Sequence, residues 1–212
     1  MRTTKATLRW FGAYMGELTG IMVLALPVVG LFTVVLGEAA AGFLAGLIIA
    51  LPMVYVIGLA QLAGSMSLLA LGMGATRRSI QRSLAVIYLA SVPVVWACAR
   101  LFAKVIPWIM AYAGVERDMG VMIDILSGIA EPGPMLFIGG IMLFSATVDV
   151  HGGKLALGII AMVLVWGVTC GLGGFIHFIL PWQALLLQAG MAAVGLGFAA
   201  WGLHRLRELC VK

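Results

Sequence analysis

Three features of the sequence predict an all-α integral membrane protein with six transmembrane helices. Hydrophobic residues make up 63% of the 212 residues and charged residues only 10%, which is more apolar surface than a soluble core of this size buries. Several apolar stretches reach the roughly 20 residues that a helix needs to cross a bilayer. Basic residues gather in alternate connections between these stretches, as they do in multi-span proteins.

The predicted elements form a single transmembrane domain over residues 1–212. Residues 4–16 place apolar side chains at helical spacing beside Lys5 and Arg9, which predicts an amphipathic helix in the membrane interface. The predicted spans cover residues 18–36, 40–61, 84–106, 134–148, 155–180 and 183–203. The stretch 114–133 is predicted as an extracytoplasmic loop with a short amphipathic surface helix formed by Val121, Met122, Ile125 and Leu126.

The second and third spans are predicted to extend beyond the membrane. The chain carries no charge from Ala39 to Leu71, and a continuous helix of that length measures about 50 Å, against about 30 Å of hydrocarbon. Either this helix breaks near Gly64 or it protrudes. The following helix is similarly long, so residues 64–82 are expected to form a hairpin hinged at Gly72 and Gly74.

Charge predicts that both termini are cytoplasmic. With six spans the termini share one side, and most of the 13 basic residues fall there: Arg2, Lys5, Arg9, Arg77, Arg78, Arg82, Lys154, Arg205, Arg207 and Lys212. The other side holds most of the eight acidic residues: Glu38, Glu116, Asp118, Asp124 and Glu131. Because positively charged connections stay inside, the hairpin is expected to face the cytosol. This bias also accounts for the net charge of +5 without a nucleic-acid partner.

The sequence offers no signature of catalysis in this chain. It contains no HExxH, no GxSxG and no phosphate-binding loop, because Gly153-Lys154 is followed by Leu155. The three cysteines have no metal-type spacing, and the three histidines lie far apart in the chain. We therefore expect a non-enzymatic chain that binds neither cofactor nor metal.

The basic part of the hairpin has an electrostatic feature that calls for a partner. Thr76 is predicted to cap a helix beginning at Arg77, which places Arg77 and Arg78 in the first turn. The helix dipole disfavours a cation there by roughly 0.3–1 kcal/mol. Anionic lipid headgroups or an acidic protein surface would offset this cost.

A second charged group lies near the far end of the third span. Arg100 and Lys104 are four residues apart on one helix face. Such side chains commonly extend to the headgroups. The alternative is that they line the mouth of a pathway, paired with Glu38 or Glu131.

Residues Leu69 to Ile80, with the sequence LALGMGATRRSI, resemble a cytosolic pattern in the permeases of ATP-binding-cassette exporters. In these proteins a Gly-x-Thr/Ser-Arg-Arg/Lys turn follows the second span. The type-2 exporter permeases are also similar in their interfacial N-terminal helix, six spans, minimal first outer loop and longer third one. The connection at 173–182 is shorter than the re-entrant helices that many of them carry there.

The resemblance implies that the chain is the permease subunit of an exporter for hydrophobic or amphipathic cargo in a bacterial-type cytoplasmic membrane. It implies an ATPase subunit, which binds ATP and Mg²⁺, and a second permease subunit. The residues implied in coupling to the ATPase are Gly72, Gly74, Thr76, Arg77 and Arg78. Two other functions stay open: the substrate-binding subunit of a vitamin-type importer, and a membrane protein that assists assembly without transport.

Overall fold

A computed structural model describes residues 2–115, 120–152, 167–172 and 174–206, and no strand occurs among them. The prediction of an all-α protein is confirmed for these residues. The helices are α1 (Arg2–Leu36), α2 (Glu38–Gln61), α3 (Ser67–Gly72), α4 (Arg77–Tyr112), α5 (Gly120–Ile129), α6 (Pro132–Gly152) and α7 (Pro181–Arg205). A single-turn π-helix, Leu62–Met66, joins α2 to α3, and a 3₁₀ turn, Ile176–Phe178, precedes α7.

Four helical segments in the described part are long and apolar enough to cross a membrane: Thr4–Leu36, Ala40–Gly72, Arg77–Tyr112 and Pro181–Arg205. Together, α5 and the first part of α6 make a fifth candidate, broken by a 47° bend. The membrane-embedded, multi-pass character of the chain follows from these helices. Half of the predicted span at 155–180 lies outside the described residues, and within the other half residues 167–172 and 174–175 are helical.

The predicted interfacial helix and first span form one continuous helix. The 35 residues of α1 measure about 52 Å at 1.5 Å per residue, with Pro27 inside the helix. The backbone stays helical through Gly16 and Glu17, where the composition changes from polar to apolar. The N-terminal turns are therefore a rigid extension of the span.

The predicted break near Gly64 is a local widening of one helix. Between Gln61 and Ser67 the backbone takes one π-helical turn, and the Ser67 hydroxyl donates to the carbonyl oxygen of Leu62 at 2.5 Å. Tyr14 of α1 donates to Gln61 at the start of this turn. Since α2 and α3 belong to one helical segment, Ala40–Gly72, the helix does not end near Gly64, and its 33 residues exceed the roughly 20 that cross a bilayer. Its protrusion beyond the membrane stays a prediction.

The polar stretch at 114–133 packs more deeply than predicted. In α5 the buried side chains are Ile123, Leu126, Ser127 and Ile129, whereas Val121 and Met122 of the predicted apolar face are exposed. The predicted fourth span, 134–148, is part of the longer α6. The predicted surface helix is thus a packed element that meets α6 at a bend.

Helices α6 and α7 run parallel in very close contact. A Cβ added at Gly133 would lie 2.7 Å from the Cα of Gln188, and one at Gly202 would lie 2.8 Å from the Cα of Phe144. A Cβ at Gly140 would overlap the carbonyl oxygen of Gly195. Because the contact positions on α6 and α7 increase together, both helices point the same way, and their backbones touch only because glycine lacks a side chain.

Two tyrosines tie the remaining spans to this pair. Tyr88 of α4 donates from its hydroxyl to the Leu136 carbonyl oxygen at 2.6 Å, and Tyr55 of α2 donates to the Tyr88 carbonyl oxygen at 3.3 Å. Both rings are buried in the core. With their hydroxyls bonded, these large side chains fill the centre without leaving a polar group unpaired.

Candidate functional site

The candidate site is the turn between α3 and α4, residues 73–76. Its first half is a Schellman motif: the Gly74 amide donates to the Leu71 carbonyl oxygen at 3.0 Å, and the Ala75 amide to that of Ala70 at 2.8 Å. Gly74 adopts φ +87°, the left-handed conformation that the motif requires. Of the two predicted hinge glycines, Gly74 supplies the turn, whereas Gly72 ends α3 as an ordinary helical residue.

The second half of the turn is the predicted helix cap. Thr76 is extended, and its side-chain oxygen accepts the Ser79 amide at 3.2 Å, so α4 begins at Arg77. Arg77 and Arg78 are both exposed in the first turn. The turn therefore projects two cations at a helix N-terminus, where the dipole disfavours them.

The start of α1 holds this turn in place. The Thr7 and Ser79 hydroxyl oxygens lie 3.2 Å apart in a buried hydrogen bond, and the Ser83 hydroxyl donates to the Thr4 carbonyl oxygen at 3.4 Å. Sequence reasoning missed this contact, because one small hydroxyl in an amphipathic helix gives no signal of its distant partner. A movement of the turn is thereby coupled to α1 as well as to α2 and α4.

Basic side chains cluster at this end of the bundle. The Gln81 side-chain amide donates to the Leu203 carbonyl oxygen, so the end of α7 lies beside the start of α4. The exposed or partly exposed cations there are Lys5, Arg9, Arg77, Arg78, Arg82 and Arg205. The beginning of α1 and the end of α7 therefore lie at one basic end.

At the opposite end the structure brings together two of the four predicted pathway residues. Arg100 of α4 forms an ion pair with Glu131, and its guanidinium lies 6.0 Å from the centre of the Trp96 ring. The Arg100 side chain is 48% exposed and that of Glu131 only 12%. Lys104 and Glu38 are exposed, and the described residues give neither of them an ion pair.

Glu131 occupies the short connection between α5 and α6, where the broken span bends. The ion pair therefore joins α4 to the connection between α5 and α6. Elsewhere in the described part of the chain, no group of histidine, cysteine, aspartate or glutamate side chains is arranged to hold a metal ion.

Comparison with protein-family models, curated proteins and solved structures finds no match to this chain.

Proposed function

We propose that this chain is the permease subunit of an ATP-binding-cassette exporter, and that residues 73–76 with Arg77 and Arg78 dock on a separate ATPase subunit. The observation that carries the proposal is the rigid, capped turn at the tip of two helical segments of 33 and 36 residues. Both segments exceed the roughly 20 residues that cross a bilayer, so the tip extends beyond the hydrocarbon.

The electrostatics of the tip favour a protein partner with an acidic surface. Arg77 and Arg78 oppose the dipole of α4, each at roughly 0.3–1 kcal/mol, and an acidic surface reverses this cost on contact. Anionic lipid is the competing source of negative charge. The Schellman motif and the Thr76 cap fix the backbone from which both side chains project, which favours a specific protein contact over diffuse lipid attraction.

In this function the basic end faces the cytosol and the turn transmits the closure of the ATPase to the spans. Movement of the turn passes directly into α2, α4 and α1, since all three are continuous or bonded to it. At the far end of α4 the Arg100–Glu131 pair would open or close the bend between α5 and α6. A second permease subunit, either the same chain or a different one, completes the pathway, and the apolar spans suit hydrophobic or amphipathic cargo such as a peptide, lipid or drug.

The test is a double charge reversal, Arg77→Glu with Arg78→Glu. The wild-type chain, isolated from its native membranes, is expected to bring an ATP-hydrolysing subunit with it. The reversed variant should insert and fold normally, because both sites are exposed and glutamate suits a helix N-terminus. Recovery of the ATPase and transport should both fall at least ten-fold through like-charge repulsion.

Two controls test whether the loss depends on positive charge at this position. Lys104→Glu changes an exposed cation at the other end of α4 and should leave ATPase recovery unchanged. Arg77→Lys with Arg78→Lys keeps the charge and should retain binding. Undiminished ATPase recovery in the glutamate variant, or an isolated wild-type chain with no ATPase, would refute the proposal.

A further inference from the structure

A groove of about 230 Å³ opens between the start of α1 and the turn. Its lining is mostly apolar and consists of Ala6, Thr7, Trp10, Ala70, Met73, Gly74 and Ala75. The Thr7 hydroxyl is hydrogen-bonded to Ser79, so it does not need a polar partner from a molecule that occupies the groove. An apolar cavity of about 150 Å³ holds a benzene molecule, so this groove has room for a stretch of hydrocarbon chain.

Cations adjoin the groove-lining residues of α1 in the sequence. Lys5 and Arg9 are exposed, one helical turn apart, and are the chain neighbours of Ala6 and Trp10. Neither has an ion pair within the described part of the structure. No acidic residue occurs in the two segments that form the groove, residues 4–10 and 67–82. An apolar slot with unopposed positive charge beside it matches an amphiphile with a negative head.

Two tryptophans indicate that the groove lies at the level of the lipid headgroups. Trp10 lies in the groove, and Trp201 lies near the same end because Leu203 contacts Gln81. Tryptophans concentrate at the membrane–water interface, where an apolar ring can meet hydrocarbon while its N–H reaches water. At this depth the molecule that adjoins an open groove is a phospholipid.

We propose that this groove binds one anionic phospholipid, whose acyl chain lies against Trp10 and Met73 and whose phosphate contacts Lys5 and Arg9. The groove shares Met73, Gly74 and Ala75 with the turn that is proposed to dock on the ATPase, but the lipid site depends on Lys5 and Arg9 and rests only on membrane insertion. A basic side chain near an anionic membrane surface gains about five-fold in affinity, so the two together should favour anionic over zwitterionic lipid by about 25-fold. An acidic protein segment is the competing occupant.

Quenching of Trp10 fluorescence tests the site. The full chain is reconstituted into phosphatidylcholine vesicles that contain either phosphatidylglycerol or phosphatidylcholine brominated in the acyl chains. The Trp10 signal is the difference between the wild type and Trp10→Phe. We expect brominated phosphatidylglycerol to quench it at about one twenty-fifth of the mole fraction that brominated phosphatidylcholine needs. The Trp108 signal, obtained with Trp108→Phe, should respond equally to both lipids.

The variant Lys5→Gln with Arg9→Gln should abolish this preference while leaving ATPase recovery intact, because it keeps Arg77 and Arg78. Equal quenching of Trp10 by the two lipids in the wild type would overturn the proposal, since it would indicate ordinary surrounding lipid. Absence of quenching by either would also overturn it, in favour of a protein occupant. Neither result bears on docking of the ATPase, which the Arg77→Glu, Arg78→Glu variant tests alone.

Discussion

Arg100 of α4 pairs with Glu131 at the point where α5 gives way to α6. The two residues are unequal partners, because Arg100 is about half exposed whereas Glu131 is nearly buried. Arg100 can be hydrated or held by the Trp96 ring when it loses its partner. Glu131 is nearly buried and cannot be hydrated in the same way. The ion pair therefore stabilises the charge of Glu131 more than that of Arg100.

This asymmetry predicts unequal effects of neutralisation. Arg100→Gln leaves a nearly buried carboxylate without a cation and should destabilise the fold by about 1–3 kcal/mol. Glu131→Gln leaves a half-exposed guanidinium and should cost less. Thermal unfolding of the purified variants in detergent measures both. Lys104→Gln, one turn further along the same helix, is the control and should have no effect; an Arg100→Gln variant as stable as this control would contradict the prediction.

The glycine contact between α6 and α7 predicts a sharp position dependence. Gly140→Ala would drive a methyl group into the Gly195 carbonyl, so the parallel helices must separate, at about 1–3 kcal/mol or more. Gly197→Ala, two residues from Gly195 on α7, meets nothing within 4 Å and should be neutral or stabilising by up to about 1 kcal/mol. Thermal unfolding compares them, and equal melting temperatures would exclude the close contact.

Local chemistry made part of this fold predictable from the sequence. Thr76 predicts the start of α4, because the hydrogen bond that caps the helix depends only on residues within one turn. The ends of α7, at Pro181 and Arg205, lie within two residues of the predicted span, since an apolar run bounded by proline and basic residues is a local signal. Gly74 was expected to hinge the turn, and it does so at positive φ.

Contacts between distant residues were not predictable in the same way. Both Glu38 and Glu131 were candidate partners for Arg100, and only the packing of α5 and α6 selects Glu131. The chain has 28 glycines, and nothing local marks Gly140 and Gly195 as the pair that meets. The groove beside Trp10 was also not predictable from the sequence, because the residues of its two walls are more than fifty positions apart in the chain.

The cap of α4 predicts a graded effect at Thr76. Thr76→Ala removes the oxygen that accepts the Ser79 amide and should cost about 0.5–2 kcal/mol, whereas Thr76→Ser keeps an equivalent acceptor and should behave as the wild type. Hydrogen exchange of the amides at residues 77–80 measures the effect directly. Equal protection of these amides in the alanine and serine variants would show that the cap contributes nothing.

The two glycines of the turn should respond differently to substitution. Gly74→Val forces a β-branched residue to φ +87° and should distort the turn, with loss of ATPase recovery. Gly72→Ala adds a methyl group in open space to an ordinary helical residue and should be tolerated. Recovery of the ATPase from membranes compares them, with thermal unfolding as the check on folding. If both variants lose ATPase recovery equally, the turn does not depend specifically on the positive φ of Gly74.

The orientation of the bundle predicts opposite chemical labelling at its two ends. Ser79 and Ser127 are natural polar positions for a probe, but they are 1% and 3% exposed, so neither would report on topology. Met73 at the basic end and Asp124 in α5 are both exposed. We consider single cysteines at these two sites, in a background with Cys98, Cys170 and Cys210 replaced by alanine.

Under the positive-inside rule the cations around Met73 stay in the cytosol, so Asp124→Cys should react with a membrane-impermeant maleimide on intact cells. Met73→Cys should react only after permeabilisation. The cysteine at 73 keeps a neutral side chain beside Gly74, so it should not disturb the charges that set orientation. If Met73→Cys reacts on intact cells and Asp124→Cys does not, the basic end faces outward. No cytosolic ATPase could then reach Arg77 and Arg78, and the docking proposal would fall with the orientation.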